Sequence, residues 1–231
     1  MIRSSDEKYL KAIYQISLSE QSSKATLSEL AYYLDLKPPS VLERLKNLQA
    51  EKLITYQKNK GIHLTKTGGR EAMNVIRKHR IWETFLHKVC KFSWSEVHAL
   101  AEQLQHVNSE SLIDRIYTLC GEPKFDPHGD PIPDKAGVFP VTSRRPLLQS
   151  VEGCRCIVLG VNEDNKEFLE YLTELKIGLN DKLHVDKILA FDGSLRIRYK
   201  NMVTSISSKV AEKILVTCTR ANCACKKQLS K

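Results

Sequence analysis

The sequence has no long apolar segment. No uninterrupted apolar run approaches the ~18 residues that a transmembrane helix requires, so we expect no membrane partner. The first residues have neither the apolar core nor the small-residue cleavage pattern of a secretory signal peptide. Together these two absences predict a cytoplasmic protein.

Enzyme motifs are missing as well. The sequence contains no His-Glu-x-x-His motif, which would place two zinc ligands and a general base on one helix, and no glycine-rich phosphate-binding loop. The catalytic alternative for this chain, a metal-dependent hydrolase, would require an open coordination position beside a general base. No motif of the sequence marks such a base, so we expect a protein that is not an enzyme.

Cysteines are few and irregularly placed. They form an odd-numbered, scattered set that does not resemble a disulfide framework: Cys90, Cys120, Cys154, Cys156, Cys218, Cys223 and Cys225. The last three have a spacing that can hold a soft metal. We favour the alternative interpretation, in which residues 218–231 form a basic tail with incidental thiols.

What the sequence does have is an excess of positive charge. Its 231 residues include 36 Lys or Arg and 27 Asp or Glu, which gives a formal net charge of +9. Residues 1–70 contain twelve of the basic and seven of the acidic residues, so over half of the excess lies in less than a third of the chain. Such an excess favours a polyanionic partner, of which nucleic acid is the most common.

The first 70 residues show the pattern of a winged helix-turn-helix. Thr26 and Glu29 form a capping box at the start of an amphipathic helix, and a Pro-Pro pair suits the first turn of the helix that follows. Two short strand-like runs, 53–56 and 62–64, then enclose a basic turn. This layout predicts a DNA-binding domain in which the third helix is the recognition helix and the hairpin is the wing.

Polar residues of the third helix and the wing are the candidates for DNA contact. Arg44 can read guanine and Asn47 can read adenine, whereas serine and lysine more often bind phosphate. The alternatives are an ordinary solvated helix face and a protein–protein module. The residues that we expect at the DNA are Lys37, Pro39, Ser40, Glu43, Arg44, Asn47, Lys58 and Lys60.

Two helices in the middle of the chain, about 67–89 and 93–107, carry histidine and carboxylate side chains at helical spacing. His79 and Glu83 are four residues apart and therefore lie on one face of the first helix. The second helix presents a stripe that consists of His98, Glu102, Gln105 and His106. Imidazole combined with carboxylate suits a first-row divalent metal ion. The alternative is a set of ordinary surface contacts.

The remainder of the chain divides into a linker and a small domain. After a further helix over 109–119, residues 120–146 are rich in proline and glycine, which predicts an extended linker that is poorly suited to a core. A short helix over 166–175 then accompanies several strand-like runs. These indicate a small β-barrel-like domain with strands at 156–161, 183–185 and 195–199.

These features carry a resemblance to a known family. The chain resembles the diphtheria toxin repressor and manganese transport regulator family of metal-dependent repressors over most of residues 5–135. The region from about 146 to 216 looks like the SH3-like, FeoA-type domain of some members. The matching segments are Glu7-x-Tyr9-Leu10-x-x-Ile13-Tyr14, Pro39-Ser40-Val41, Leu64-Thr65-x-x-Gly68, Arg77-Lys78-His79-Arg80-x-x-Glu83, Val97-His98, Glu102-x-x-Gln105-His106-Val107 and His128-Gly129-x-Pro131-Ile132-Pro133.

The resemblance implies a fold and a function. The protein would be a homodimer that binds a palindromic operator in double-stranded DNA when manganese or iron(II) is bound, and that represses genes of metal homeostasis. The fold would be mainly α with a small C-terminal β domain. Its parts would be a winged helix-turn-helix over 1–70, a helical dimerisation and metal-binding domain over 71–140, an SH3-like FeoA-type domain over 146–217, and a basic tail over 218–231.

The resemblance also assigns the metal ligands to two sites. It places His79, Glu83 and His98 in the ancillary metal site of the family. It places a second set in the primary site, which consists of Glu102, Gln105 and His106.

The match breaks down on the first helix. Lys8 stands where the family has an aspartate or methionine ligand, and Lys11 stands where the manganese regulators have glutamate. A protonated amine cannot donate electrons to a metal. We therefore expect Lys8 to pair with Glu102 and to take over part of the bridging role of the metal. In the alternative, Lys8 points away, and Glu102, Gln105 and His106 bind a metal together with water.

Overall fold

The computed structural model describes residues 3–19, 24–141, 143–163 and 165–219, and within these ranges no helix is both long and apolar enough to cross a membrane. The chain forms two compact units. Unit 1 comprises Met1–Trp82, Ala101–Leu119 and Ile132–Phe139, and unit 2 comprises Glu83–Leu100, Cys120–Pro131 and Pro140–Lys231. The middle helices thus contribute to both units, and the four-part division expected from the sequence stays a prediction.

The N-terminal part of unit 1 is the winged helix-turn-helix that the sequence predicts. The capping box is confirmed, because the Glu29 amide donates to Thr26 Oγ1 at 3.2 Å and the Thr26 amide donates to Glu29 Oε2 at 2.7 Å. Asp35, with a φ of 53°, ends the second helix in the left-handed conformation. The elements are α1 (Ser4–Ser19), α2 (Leu27–Leu34), α3 (Pro38–Ala50), β1 (Ile54–Gln57) and β2 (Gly61–Leu64), and the two strands pair antiparallel.

An apolar core holds these elements together. Leu10 and Ile13 of α1, Leu30 of α2 and Leu45 of α3 are fully buried, and their positions follow the helical spacing seen in the sequence. Full burial of one such side chain stabilises a fold by about 1.5–3 kcal/mol. The packing therefore fixes the orientation of α3, the predicted recognition helix.

Three longer helices follow the hairpin. They are α4 (Lys66–Lys88), α5 (Trp94–Leu104) and α6 (Glu110–Leu119). The Ser93 amide donates to Glu96 Oε2 at 2.9 Å, which supports the helix start near residue 93 that the sequence predicted. Helix α5 ends at Leu104, whereas the sequence predicted an end near residue 107. The division between the units runs through α4, between Trp82 and Glu83, and through α5.

The proline-rich segment differs from the prediction. Residues 120–141, all of which the structure describes, contain neither helix nor strand, yet residues 126–129, 132 and 133 are buried, so the expectation of a linker unsuited to a core is wrong. Asp126 is the reason: its Oδ1 accepts from the amides of His128 at 2.8 Å and Asp130 at 2.9 Å. Proline and glycine favour tight turns in this segment. The Asp126 carboxylate accepts hydrogen bonds from backbone amides that these turns leave without a partner in a helix or strand.

Unit 2 also contains a small β domain. Its elements are β3 (Arg145–Pro146), β4 (Arg155–Val161), α7 (Lys166–Glu174), β5 (Lys182–Ile188), β6 (Leu195–Tyr199), β7 (Met202–Ile206), α8 (Ser208–Lys213) and β8 (Ile214–Cys218). The six strands form one antiparallel sheet in the order β3-β8-β4-β5-β6-β7. The predicted strands and helix are confirmed, whereas β3, β7, α8 and β8 were not foreseen. The predicted tail over 218–231 and Cys223 and Cys225 lie outside the described residues, apart from Cys218 and Thr219.

Two adjacent glycines of α4 provide a matched test of the packing in unit 1. A Cβ on Gly68 would lie 1.9 Å from the Leu53 carbonyl oxygen, whereas a Cβ on Gly69 would meet no atom within 4 Å. We expect Gly68→Ala to lower the free energy of unfolding by about 1–3 kcal/mol, the usual cost of overpacking. Gly69→Ala should leave it unchanged or raise it by up to ~1 kcal/mol, because alanine is the better helix former. Urea unfolding followed by circular dichroism measures both, and equal midpoints would contradict the close packing at Gly68.

Candidate functional site

The predicted DNA-contacting residues lie at the surface of unit 1. Those of the recognition helix and its N-cap, namely Lys37, Pro39, Ser40, Glu43 and Asn47, are exposed. Lys58 and Lys60 are exposed in the turn between β1 and β2. The structure therefore leaves these side chains accessible to a nucleic acid, and their contacts with DNA stay a prediction.

Arg44 behaves differently from the other residues of α3. It is half-buried, its Nε lies 2.6 Å from Asp6 Oδ1 of α1 in an ion pair rather than an aligned hydrogen bond, and its guanidinium donates to the Ser5 hydroxyl. The Asp6 carboxylate is only 2% exposed, so it requires a nearby cation. Arg44 thus has a structural partner that competes with the base-reading role predicted for it.

The two predicted ligands Glu102 and Gln105 contact Lys11 of α1, whereas the sequence predicted a pair between Glu102 and Lys8. The Lys11 ammonium pairs with the Glu102 carboxylate and lies 3.4 Å from Gln105 Oε1. Gln105 Nε2 donates to Glu102 Oε2 at 2.8 Å. Lys8 is exposed, so the expected Lys8–Glu102 pair is wrong: the lysine one helical turn further along α1 takes its place, because Lys11 lies on the buried face.

The third ligand of this predicted site, His106, belongs to a second charged group in unit 1. Its Nδ1 lies 2.5 Å from Glu7 Oε2, and the other oxygen of Glu7 lies 3.0 Å from the Lys78 ammonium. His79 lies nearby on α4, with Nδ1 3.6 Å from Glu102 Oε1. Glu102, Gln105 and His106 are therefore accompanied by two ammonium groups, which is a poor environment for a divalent cation.

Unit 2 contains a different group of potential metal ligands. His98 Nδ1 of α5 lies 3.1 Å from Glu83 Oε1 of α4, and His128 Nδ1 lies 3.8 Å from the same oxygen. One donor atom each of Glu83, Asp126 and His128 lies within 4.8 Å of the others, and all three residues are buried. We call Glu83, His98, Asp126 and His128 the unit 2 cluster. His79 stands four residues before Glu83 on the same face of α4 and is also buried.

Sequence reasoning missed Asp126 and His128 as ligands. Both lie in the segment assigned as a linker, more than 40 residues from Glu83, so no helical spacing connects them. The available signal was the His-Gly-x-Pro-Ile-Pro segment, in which a histidine accompanies residues that specify rigid turns. Gly129, with a φ of 87°, follows His128 directly, and a Cβ there would lie 1.9 Å from the Leu159 carbonyl oxygen. This close approach holds the turn against β4 and so fixes His128.

The electrostatics of the unit 2 cluster favour a bound positive charge. Burial by itself lowers the pKa of His128, but the hydrogen bond and charge of Glu83, the charge of Asp126 and the Trp94 carbonyl together raise it to about 9. In the absence of metal, the imidazolium therefore balances the buried carboxylates. A divalent cation could replace that charge, and the neutral imidazoles and carboxylates would then be its ligands. This donor set suits a first-row ion such as manganese, iron(II) or zinc.

The raised pKa of His128 has a testable cause. In the metal-free protein, we expect Glu83→Gln to move the pKa of His128 from about 9 down towards its ordinary value of 6.5, because Glu83 provides the largest raising contribution. Since the pKa is higher in the folded state, its stabilising contribution is present below pH 6.5 and is lost as the pH rises through 9. NMR titration of the imidazole protons with a chelator present, assigned with His128→Gln, measures the shift. An unchanged pKa would show that Glu83 does not control the imidazole.

Family models match three consecutive parts of this chain. Residues 1–62 match the family model described as the iron-dependent repressor N-terminal DNA-binding domain, and residues 65–134 match its metal-binding and dimerisation domain. Residues 145–218 match the FeoA domain. The iron-dependent repressor IdeR of Mycobacterium bovis is 33% identical over 127 residues, which are 55% of this chain and 54% of that relative. The match thus spans about half the length of this curated relative.

Solved structures match over nearly the whole chain. A manganese-dependent transcriptional repressor in complex with manganese has a TM-score of 0.80 and 29% identity, and the match covers 92% of this chain and 99% of that one. The manganese regulator SloR has a TM-score of 0.70 and 31% identity, with 93% and 98% covered. The three family models match consecutive parts of the chain: the winged helix-turn-helix, the helices α4 to α6 with the segment that follows them, and the C-terminal sheet. The chain therefore belongs to the family of iron- and manganese-dependent transcriptional repressors that includes the diphtheria toxin repressor.

Proposed function

We propose that this protein is a transcriptional repressor that binds operator DNA in response to a divalent metal ion, manganese or iron(II), and controls genes of metal homeostasis. The observation that carries the proposal is the unit 2 cluster, in which Glu83, Asp126 and His128 are buried, in a chain whose other unit contains a winged helix-turn-helix. The proposed role is regulatory and not enzymatic. Because the operator would be chromosomal DNA, the role also requires a cytoplasmic protein.

The metal would be held by Glu83, His98, Asp126 and His128. His79, which the sequence analysis grouped with Glu83 and His98, is a further candidate because it occupies the same face of α4. When bound, the ion would supply the positive charge that the buried carboxylates need, and it would join ligands from α4, α5 and the 126–128 turn. Asp126 also organises that turn by accepting two backbone amides, so a change in its charge would affect ligand and turn together.

DNA would be bound by α3 and the wing of two subunits. A homodimer places two recognition helices for the half-sites of a palindromic operator, one or more helical turns of DNA apart. The exposed lysines at 37, 58 and 60 supply phosphate contacts, and Ser40, Glu43 and Asn47 offer polar groups at the surface of α3. Their spacing on one helix and one hairpin is the support for this assignment.

A second candidate is a winged-helix regulator that needs no metal. The observation in its favour is that Lys11 and Lys78 already supply positive charge beside Glu102 and Glu7 in unit 1. The two candidates differ in what they require of the unit 2 cluster. Only the metal-responsive repressor loses its DNA affinity when a chelator is added.

Metal-dependent binding to operator DNA is the first test. We expect the full chain to retard promoter fragments of metal-uptake genes in the presence of manganese or of iron(II) kept anaerobic, and a chelator should abolish this binding. His128→Ala should lower both the metal content by elemental analysis and the DNA affinity, because it removes a buried ligand. The control is His87→Ala, since His87 contacts the Phe92 carbonyl outside the cluster. Chelator-resistant binding would instead support the metal-independent regulator.

The wing and Arg44 can be tested separately. Lys60→Ala should weaken binding to all DNA sequences alike and reduce the salt dependence by about one phosphate contact. Arg44→Ala should weaken binding to the operator by about 1–3 kcal/mol if Arg44 reads a base. Asp6→Asn removes the ion-pair partner of Arg44 and leaves the guanidinium in place. If Asp6→Asn and Arg44→Ala reduce affinity equally on every sequence, Arg44 positions α3 and does not read a base.

A further inference from the structure

The residues that match the primary metal site of the family are Glu102, Gln105 and His106, and in this chain a lysine lies among them. The ammonium of Lys11 pairs with Glu102 and approaches Gln105 Oε1 at 3.4 Å. Lys11 is only 7% exposed and Gln105 is completely buried. The ammonium therefore occupies the same small polar region in which a metal would have to contact Glu102.

The charges of the surrounding residues also fail to fit a second metal. The carboxylates in this part of unit 1 are those of Glu7 and Glu102, and the ammonium groups of Lys78 and Lys11 pair with them one to one. A dication would add two positive charges to a largely buried group that is already balanced. Since like charges in a region of low dielectric repel strongly, the metal would have to expel a lysine from its buried position.

Helix α1 connects this region to the recognition helix within unit 1. Lys11 contacts α5 through Glu102, Glu7 contacts α4 through Lys78, and Asp6 pairs with Arg44 of α3. Three buried charged residues of α1 therefore join three other helices. A cation at the position of Lys11 therefore affects the position of α1, and through the Asp6–Arg44 pair it also affects the position of α3.

We propose that Lys11 is a built-in cation that replaces a metal ion at this place and positions α1 against α5. The inference rests on the proposed function: it means that the metal response of the protein comes from the unit 2 cluster alone. The group around Glu102 is then permanently occupied, so α1 stays positioned on α5 at metal concentrations that leave the unit 2 cluster empty.

The number of manganese ions bound per chain tests this directly. Equilibrium dialysis of the full chain followed by elemental analysis should find about one manganese ion per chain in the wild type. Lys11→Glu removes the ammonium and places a second carboxylate beside Glu102, so it should raise the number to about two. The matched control is Lys46→Glu, the same charge reversal at an exposed position of α3 in the same unit, which should leave about one.

A second pair of variants keeps the inference testable if Lys11→Glu does not fold. Glu102→Gln keeps the shape of the side chain and should leave manganese binding unchanged, because Glu102 holds Lys11 and not a metal. His128→Ala should remove the ion from the unit 2 cluster and leave about none per chain, because the group around Glu102 binds no metal. Where Lys11→Glu folds, the double variant with His128→Ala should retain about one ion at the new place.

The outcomes separate the inference from the proposed function. About two ions per chain in the wild type, with one lost in Glu102→Gln, would overturn the role of Lys11 while the proposed metal-responsive repressor stands. No manganese in the wild type together with a gain in Lys11→Glu would support the role of Lys11 and contradict a manganese response through the unit 2 cluster. An equal gain in Lys46→Glu would show that any added carboxylate in unit 1 attracts the ion, and the inference would be wrong.

Discussion

Buried carboxylates are the constraint on which the rest of this structure depends. An ionised carboxylate away from water is costly unless a cation or several hydrogen-bond donors accompany it. The side chains of Asp6, Glu7 and Glu83 are each less than a tenth exposed, and all three have positively charged or ionisable partners. Each pairing joins different helices, so the need to neutralise charge also sets which elements lie together.

The two units meet this constraint in different ways. In unit 1 the carboxylates of Asp6, Glu7 and Glu102 each pair with a permanent cation, namely Arg44, Lys78 and Lys11, and Glu7 also contacts His106. In unit 2 the partners of Glu83 are histidines, which can release a proton and become ligands. A carboxylate paired with lysine keeps the same cation at all metal concentrations. Beside a carboxylate paired with histidine, a metal ion can take the place of the imidazolium proton. This difference supports the proposal that the metal response comes from the unit 2 cluster.

The turn at residues 126–133 shows how a segment rich in proline can belong to a site. Asp126 binds the backbone amides of His128 and Asp130, and Gly129 lies so close to β4 that a side chain would not fit. The turn is therefore rigid without regular secondary structure, and it places an imidazole beside Glu83. The amino-acid composition predicted an extended linker, because composition shows the turn-forming residues. It does not show the hydrogen bonds that allow these residues to be buried.

Much of the fold and part of the site were determined by the sequence itself. The capping box at Thr26 and Glu29, the hairpin wing and the helices with His79, Glu83 and His98 all follow from interactions between residues a few positions apart. Such interactions depend on helical and strand periodicity, which one sequence displays directly. The motifs that carried the family resemblance extended this to the order of the domains.

The tertiary structure alone decided which partners meet across the chain. Lys11 and Glu102 are 91 residues apart, and the choice of Lys11 over Lys8 depends on which face of α1 is buried. The approach of Asp126 and His128 to Glu83 likewise depends on a turn packed against a strand. No local pattern records these contacts, because they arise from the packing of elements whose relative positions are set by the whole core. The sequence determined which residues can pair with a cation. The packing decided which of them pair with a lysine of the chain and which remain available to a metal ion.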